Sequence, residues 1–118
     1  MPNTAPRSDC PVARSLSVLG DRWSLLVIRD MMLFGKRTFN EFLESEEKIP
    51  TNTLATRLKQ LEEAGLISKR AYQDNPPRFQ YELTDAGAAL APVLRAFRDW
   101  CRDHYEPTGN TASDRMSG

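Results

Sequence analysis

No apolar run in this 118-residue chain approaches the roughly 18 residues that a bilayer-crossing helix needs, which argues against a membrane span. Cysteine and histidine are scarce: Cys10, Cys101 and His104 are all there is. So few soft ligands, so far apart, exclude a zinc framework and the dense disulfide pattern of a small secreted domain, and a reduced compartment is the simple inference. The opening MPNTAPRSD has no apolar stretch of the signal-peptide kind, so a cytoplasmic location is expected. Charge of either sign is not in excess. Sixteen basic residues balance sixteen acidic ones, and a polyanionic partner would have to be met by a local basic surface rather than a global field. Ser-His-Asp, metal-ligand and glycine-rich phosphate patterns are also missing, and His104 has no partner implied by the sequence. The expectation is a non-enzyme with no cofactor and no metal.

What is present is an ordinary soluble composition, 40% hydrophobic and 27% charged, in a chain long enough for one core. Residues 1–8 read as a flexible lead-in, 9–105 as the domain and 106–118 as a flexible tail. Pro11 suits the first turn of a short helix capped by Asp9 or Cys10, with Val12, Leu16 and Leu19 on its apolar side and Gly20 at its end. Asp21 caps a second helix, about 22–33, whose apolar residues spread around much of the circumference. That breadth marks it as the central helix of the core. Thr38-Phe39-Asn40-Glu41 is a capping box opening a short helix to about Ser45.

The stretch IPTNTLATRLKQLEEAG (49–65) carries the most information. Leu54, Leu58 and Leu61 recur at i, i+4 and i+7, so they stack on one helical face and require burial. The opposite face carries Asn52, Thr56, Lys59 and Gln60, with Thr53 and Arg57 on its flanks: amides, hydroxyls and cations suited to base edges and phosphates. An ordinary solvated face is the competing reading of that helix taken alone. Two short helices joined by the polar link SEEK make a helix-turn-helix. LISKRAY and RFQYELT then alternate with period two around Gln73-Asp74-Asn75-Pro76-Pro77, which predicts a hairpin of about 19 residues with its tip at 73–77. A hairpin directly after such a helix is a wing. From Thr84 one last helix is expected to run to about Tyr105, with Pro92 inside it costing up to about 3 kcal/mol unless the helix bends. Its stripe of Leu90, Val93, Leu94, Phe97, Trp100 and Cys101 is read as a subunit interface.

In order, CPVARSLSVLGDRWSLLVIRDMM, RTFNEFLES, IPTNTLATRLKQLEEAGLI, PPRFQYELTDAG and LAPVLRAFRDW resemble the HxlR-type winged helix-turn-helix regulators over about residues 10–104. The resemblance implies an α+β, mainly α fold: a winged helix-turn-helix with a two-stranded wing and N- and C-terminal dimerisation helices. It implies a prokaryotic transcriptional regulator binding double-stranded DNA as a homodimer through its first and last helices. Val12 and Leu16 then join the interface stripe, and Cys101 packs within it. In some members of the family a cysteine at the position of Cys10 senses electrophiles or oxidants. A helix N-terminus favours thiolate, and Arg7 and Arg14 would add to that; a small packed residue is the competing reading.

Within this frame the expected DNA contacts are Thr51, Asn52, Thr53, Thr56, Arg57, Lys59 and Gln60. Arg57 lies nearer the core boundary, where it either meets phosphate or braces the fold, and Lys59 is expected on phosphate. Thr38 and Asn40 are expected to donate to a phosphate at the start of the preceding helix. Lys69, Arg70 and Arg78 flank the wing, with Arg78 at the tip reaching the minor groove or its phosphates. Trp23, Phe39, Phe42 and Trp100 lie on apolar stripes and are assigned to core or interface. A small-molecule effector between the DNA-binding units and the dimer helices is compatible with this frame. The alternative function is a winged-helix protein-interaction module without DNA.

Overall fold

The computed structural model describes residues 9–105; the two terminal segments assigned to flexible ends lie outside the described residues. Six α-helices and one hairpin follow in the order α1 (Pro11–Leu19), α2 (Ser24–Phe34), α3 (Phe39–Leu43), α4 (Thr51–Glu63), β1 (Ile67–Asp74), β2 (Pro77–Leu83), α5 (Asp85–Ala88) and α6 (Ala91–Trp100). A five-residue π-helical turn, Cys101–Tyr105, continues α6. The mainly helical architecture with a two-stranded antiparallel wing is the one expected.

The core forms where four helices and the wing base meet. Val27, Ile28 and Met31 of α2 pack with Phe42 of α3, Leu54, Leu58 and Leu61 of α4, Ile67 of β1 and Leu94 of α6. The leucine spacing in α4 therefore faces where periodicity said it must, and α2 is the central helix. Asp21 caps α2 from outside it: its Oδ2 accepts from the N–H groups of Trp23 and Ser24 at 2.8 and 2.9 Å, so the helix starts two residues later than expected. The capping box is present, Thr38 Oγ1 accepting from Glu41 N and Glu41 Oε1 from Thr38 N. Helix α4 closes in a Schellman motif. Leu66 N donates to Leu61 O and Gly65 N to Glu62 O, with Gly65 at φ +82°, a conformation that favours glycine.

One buried ionic cluster was not visible in the sequence. Arg29 on α2 is nearly covered; it donates to Asp30 Oδ1 through Nη2 at 2.7 Å and grips Glu47 bidentately at 2.8 and 2.9 Å. Glu47 lies in the link between α3 and α4, so this pair fastens the helix-turn-helix to the central helix. Arg29 holds Glu47 below the usual carboxylate range, against the opposing effect of burial.

The segment after the wing differs from expectation. The chain does not run as one helix from Thr84; it breaks after the single turn of α5, which places Pro92 in the first turn of α6. There its missing N–H would have no intrahelical partner anyway, so the expected penalty does not arise. Thr84 Oγ1 accepts from Gly87 N and donates to Gly65 O at 2.6 Å, tying both ends of the wing to α5. The hairpin tip is also tighter than 73–77: the strands pair out to Asp74 and Pro77, with an irregularity between Ala71 and Gln73.

Candidate nucleic-acid interface

The outward face of α4 follows from its buried one. With Leu54, Leu58 and Leu61 turned inward, Thr51, Asn52, Ala55, Thr56 and Lys59 are exposed, and Thr53 and Gln60 are half-buried at the edges. The first turn has no acidic residue and no side-chain cap, so its leading N–H groups are not claimed by a carboxylate. Thr56 donates its hydroxyl proton to Asn52 O at 3.1 Å, leaving its methyl and lone pairs facing out. Ala55, which the sequence pattern did not single out, is exposed beside Asn52 at a three-residue spacing. Toward the C-terminal end Glu62 and Glu63 are exposed, so the phosphate-compatible part of this face ends near Lys59.

Arg57 is turned away from that face. Its Nη1 lies 3.1 Å from Asp21 Oδ1, joining α4 to the loop before α2, and of the two roles expected for it this geometry is the bracing one. Burial works against the Asp21 charge, but the Ser24 hydroxyl, the Trp23 and Ser24 N–H groups and Arg57 together hold this carboxyl below its ordinary pKa.

A cleft of about 370 Å³ between the start of α3 and the wing brings together four residues expected at DNA: Thr38, Asn40, Lys69 and Arg78. Asn40 and Arg78 are exposed. Lys69 Nζ sits 4.5 Å over the Phe79 ring, and among the described residues neither Lys59 nor Arg78 has an ion-pair partner. The backbone start of α3 is another matter. Glu41 Oε1 accepts from Arg37 N as well as Thr38 N, and these two bonds hold the carboxylate below its usual range. The Arg37 and Thr38 N–H groups are thus already satisfied by an anion, and the Thr38 hydroxyl is engaged with Glu41 as well, so the exposed side chain this end offers is the Asn40 amide. Arg70 is exposed but paired: its Nη2 lies 2.9 Å from Glu82 Oε2 across the hairpin.

On the other side of the molecule's chain order, α1 and α6 present Val12, Leu16, Val93, Phe97 and Trp100 as exposed side chains, Phe97 and Trp100 at 58% each. Leu94, by contrast, is 7% exposed and belongs to the core, and Leu90 packs against that core. The expected interface stripe thus divides because α6 is amphipathic on both counts, one row turned to α2 and the next to solvent. Cys101 is half-buried and lines an apolar groove of about 410 Å³ between α1, α2 and α6, alongside Leu16, Leu19, Leu25 and Phe97. Cys10 is exposed at the N-cap of α1, and neither cysteine forms a disulfide. Among the described residues there is no metal-binding cluster and no helix long and apolar enough to cross a membrane.

A helix anchored by leucines, a short capped helix before it and a hairpin after it define a winged helix-turn-helix of the transcription-regulator class. The chain belongs to the HxlR-like helix-turn-helix family, whose profile matches residues 18–109. It is 35% identical over 91 residues to the HTH-type transcriptional regulator YdeP of Bacillus subtilis, spanning 77% of this chain and 70% of that protein. Among solved structures it is similar to the reduced form of the transcriptional regulator YodB from B. subtilis, with 33% identity, a TM-score of 0.71, and coverage of 86% of this chain and all (100%) of that one. The oxidised form of the redox regulator HypR is similar too, at 31% identity, TM-score 0.71, and 82% and 99% of the two chains.

Replacing Asp21 with Asn tests the brace between the first loop and α4. Because the folded-state pKa of Asp21 is lowered, its contribution is complete above the ordinary carboxylate pKa of about 3.9 and is lost as pH falls through the lower folded value. Asp21→Asn is expected to lower stability by about 1 kcal/mol near neutral pH, a figure discounted for partial exposure, and the gap from wild type should be smaller at a pH below the ordinary carboxylate range. Urea midpoints at both pH values read this out; a pH-independent gap would count against the charge as its source.

Proposed function

We propose that the protein is a sequence-specific DNA-binding transcriptional regulator that acts as a homodimer on a pseudopalindromic operator. The observation carrying this reading is the fixed orientation of α4: three buried leucines leave Asn52, Ala55, Thr56 and Lys59 as its outward row. Asn52 can pair bidentately with adenine, Ala55 and the Thr56 methyl suit a thymine methyl, and Lys59 suits a phosphate. Thr51, Thr53 and Gln60 border this row, while Arg57 acts by holding the helix against Asp21. The wing supplies Lys69 and Arg78, the latter for the minor groove or its backbone. In a two-fold dimer the paired helices enter successive major grooves, with half-sites about 34–36 Å apart.

Operators selected from a random-sequence library provide the substrate for the test. Arg78→Ala is expected to weaken binding to all sequences alike and to reduce the salt slope by about one, and Asn52→Ala to cost about 1–3 kcal/mol on the selected operator with little effect on random DNA. Unchanged binding in both variants would remove the DNA-reading assignment and favour a protein-interaction module.

The dimer reading rests on the exposed apolar row of α1 and α6, because aromatic side chains left in water on one face suit a self-complementary partner. Light scattering of Phe97→Glu should report a monomer of unchanged helical content where wild type is a dimer. A monomeric wild type would refute this part.

Cys10 carries the signal reading. Its exposure at a helix N-cap makes the thiol accessible to electrophiles, and similarity to a redox regulator supports the same class of signal. Diamide or a quinone should change operator affinity of wild type and leave Cys10→Ser unaffected; equal responses would rule the switch out.

A further inference from the structure

Three elements converge on one carboxylate oxygen at the wing base. Glu82 Oε2 on β2 lies 2.9 Å from Arg70 Nη2 of β1, 3.4 Å from Arg37 Nη1 of the segment before α3, and 3.5 Å from Gln80 Nε2. The arrangement is built by the backbone. Tyr81 N donates to Arg37 O at 2.8 Å, docking the segment before α3 onto β2, and Ser68 pairs with Glu82 so that Arg70 reaches it diagonally. Both guanidinium groups remain open to solvent, Arg37 at 54% and Arg70 at 65% side-chain exposure, so a larger anion can reach them. They lie on the hairpin face opposite Lys69, Phe79 and Tyr81, which line the cleft described above.

We infer that Glu82 sets the phosphate affinity of the wing: it holds Arg37 and Arg70 on its carboxylate and so withholds two cations from the DNA backbone. This rests on the DNA-binding reading and deepens it. A phosphate presents the same oxygen chemistry to a guanidinium as a carboxylate does, so the two compete for the same donors. The pairs with Glu82 are exposed and individually weak, which makes them displaceable rather than structural. Sequence-independent backbone attraction is what Glu82 restrains; the α4 row that faces bases is untouched by it. Glu82 thus lowers binding to all sequences alike, a subtraction no count of basic residues would show.

The test is fluorescence anisotropy with a labelled random-sequence duplex over a range of salt concentrations. Salt-dependent binding by wild type establishes the reading on which the inference rests; its absence would sink that reading and this one with it. Given that binding, Glu82→Gln is expected to tighten it by about tenfold at low salt and to steepen the salt slope by about one to two, as one or two further phosphate contacts form. Glu82→Thr, a strand former without the charge, should do the same. Adding Arg37→Ala and Arg70→Ala to Glu82→Gln should cancel the gain. Affinity equal to or weaker than wild type in both Glu82 variants, with unchanged thermal melts, overturns the inference. So does a gain that survives loss of both arginines, because the effect would then come from net charge alone.

Discussion

Burial of the α4 leucines is the constraint on which the rest of the molecule depends. Leu54, Leu58 and Leu61 are almost wholly removed from water against Ile28 and Phe42, and truncating any of them would leave a cavity costing about 2–5 kcal/mol. Because the helix has one way to bury that row, its opposite row has one way to face out. Chemistry at the candidate interface is therefore a consequence of packing: the polar residues of α4 need no contacts of their own to be aimed.

Charge then fixes what hydrophobic burial leaves adjustable. Arg29 bridges α2 to Glu47 in the α3–α4 link, and Asp21 bridges the loop before α2 to Arg57 on α4. A leucine row resists rotation of α4 but tolerates small sliding, whereas bidentate and capped ion pairs specify distance and direction. These two braces approach α4 from different sides of the chain, and neither uses a residue on its outward row. The same economy appears in the wing, where Glu82 engages Arg70 and Arg37 while Arg78 at the tip has no ion-pair partner among the described residues.

Local rules were legible wherever a few adjacent residues decide the outcome. The Thr38–Glu41 box, the Gly65 turn and the 3.6-residue leucine spacing each act within a turn or two, and each stands where the chain order placed it. The failures share a different character. Continuity from Thr84 to Tyr105 was expected because the apolar stripe is continuous, yet Gly87 is buried so close to the Leu66 carbonyl that a Cβ would collide with it. That approach turns the chain at α5 and gives Pro92 a fresh helix to start. Leu90 and Leu94 shared a stripe with Phe97 and Trp100 on paper, but only the position of α2 could divide it into an inner and an outer row.

By itself, then, the sequence determined the elements and their order up to the end of the wing and the buried side of α4, because helical periodicity, caps and turn residues operate over a few positions; the class of protein was legible through the resemblance of its ordered motifs to a known family. Tertiary structure alone decided which charges remain available. Arg57, Arg70 and Arg78 are the same residue type, yet Asp21 and Glu82 claim the first two from 36 and 12 residues away while the third stays open. Ion pairing depends on distance in space, and no local pattern encodes which carboxylate a folded chain will bring within reach of a guanidinium.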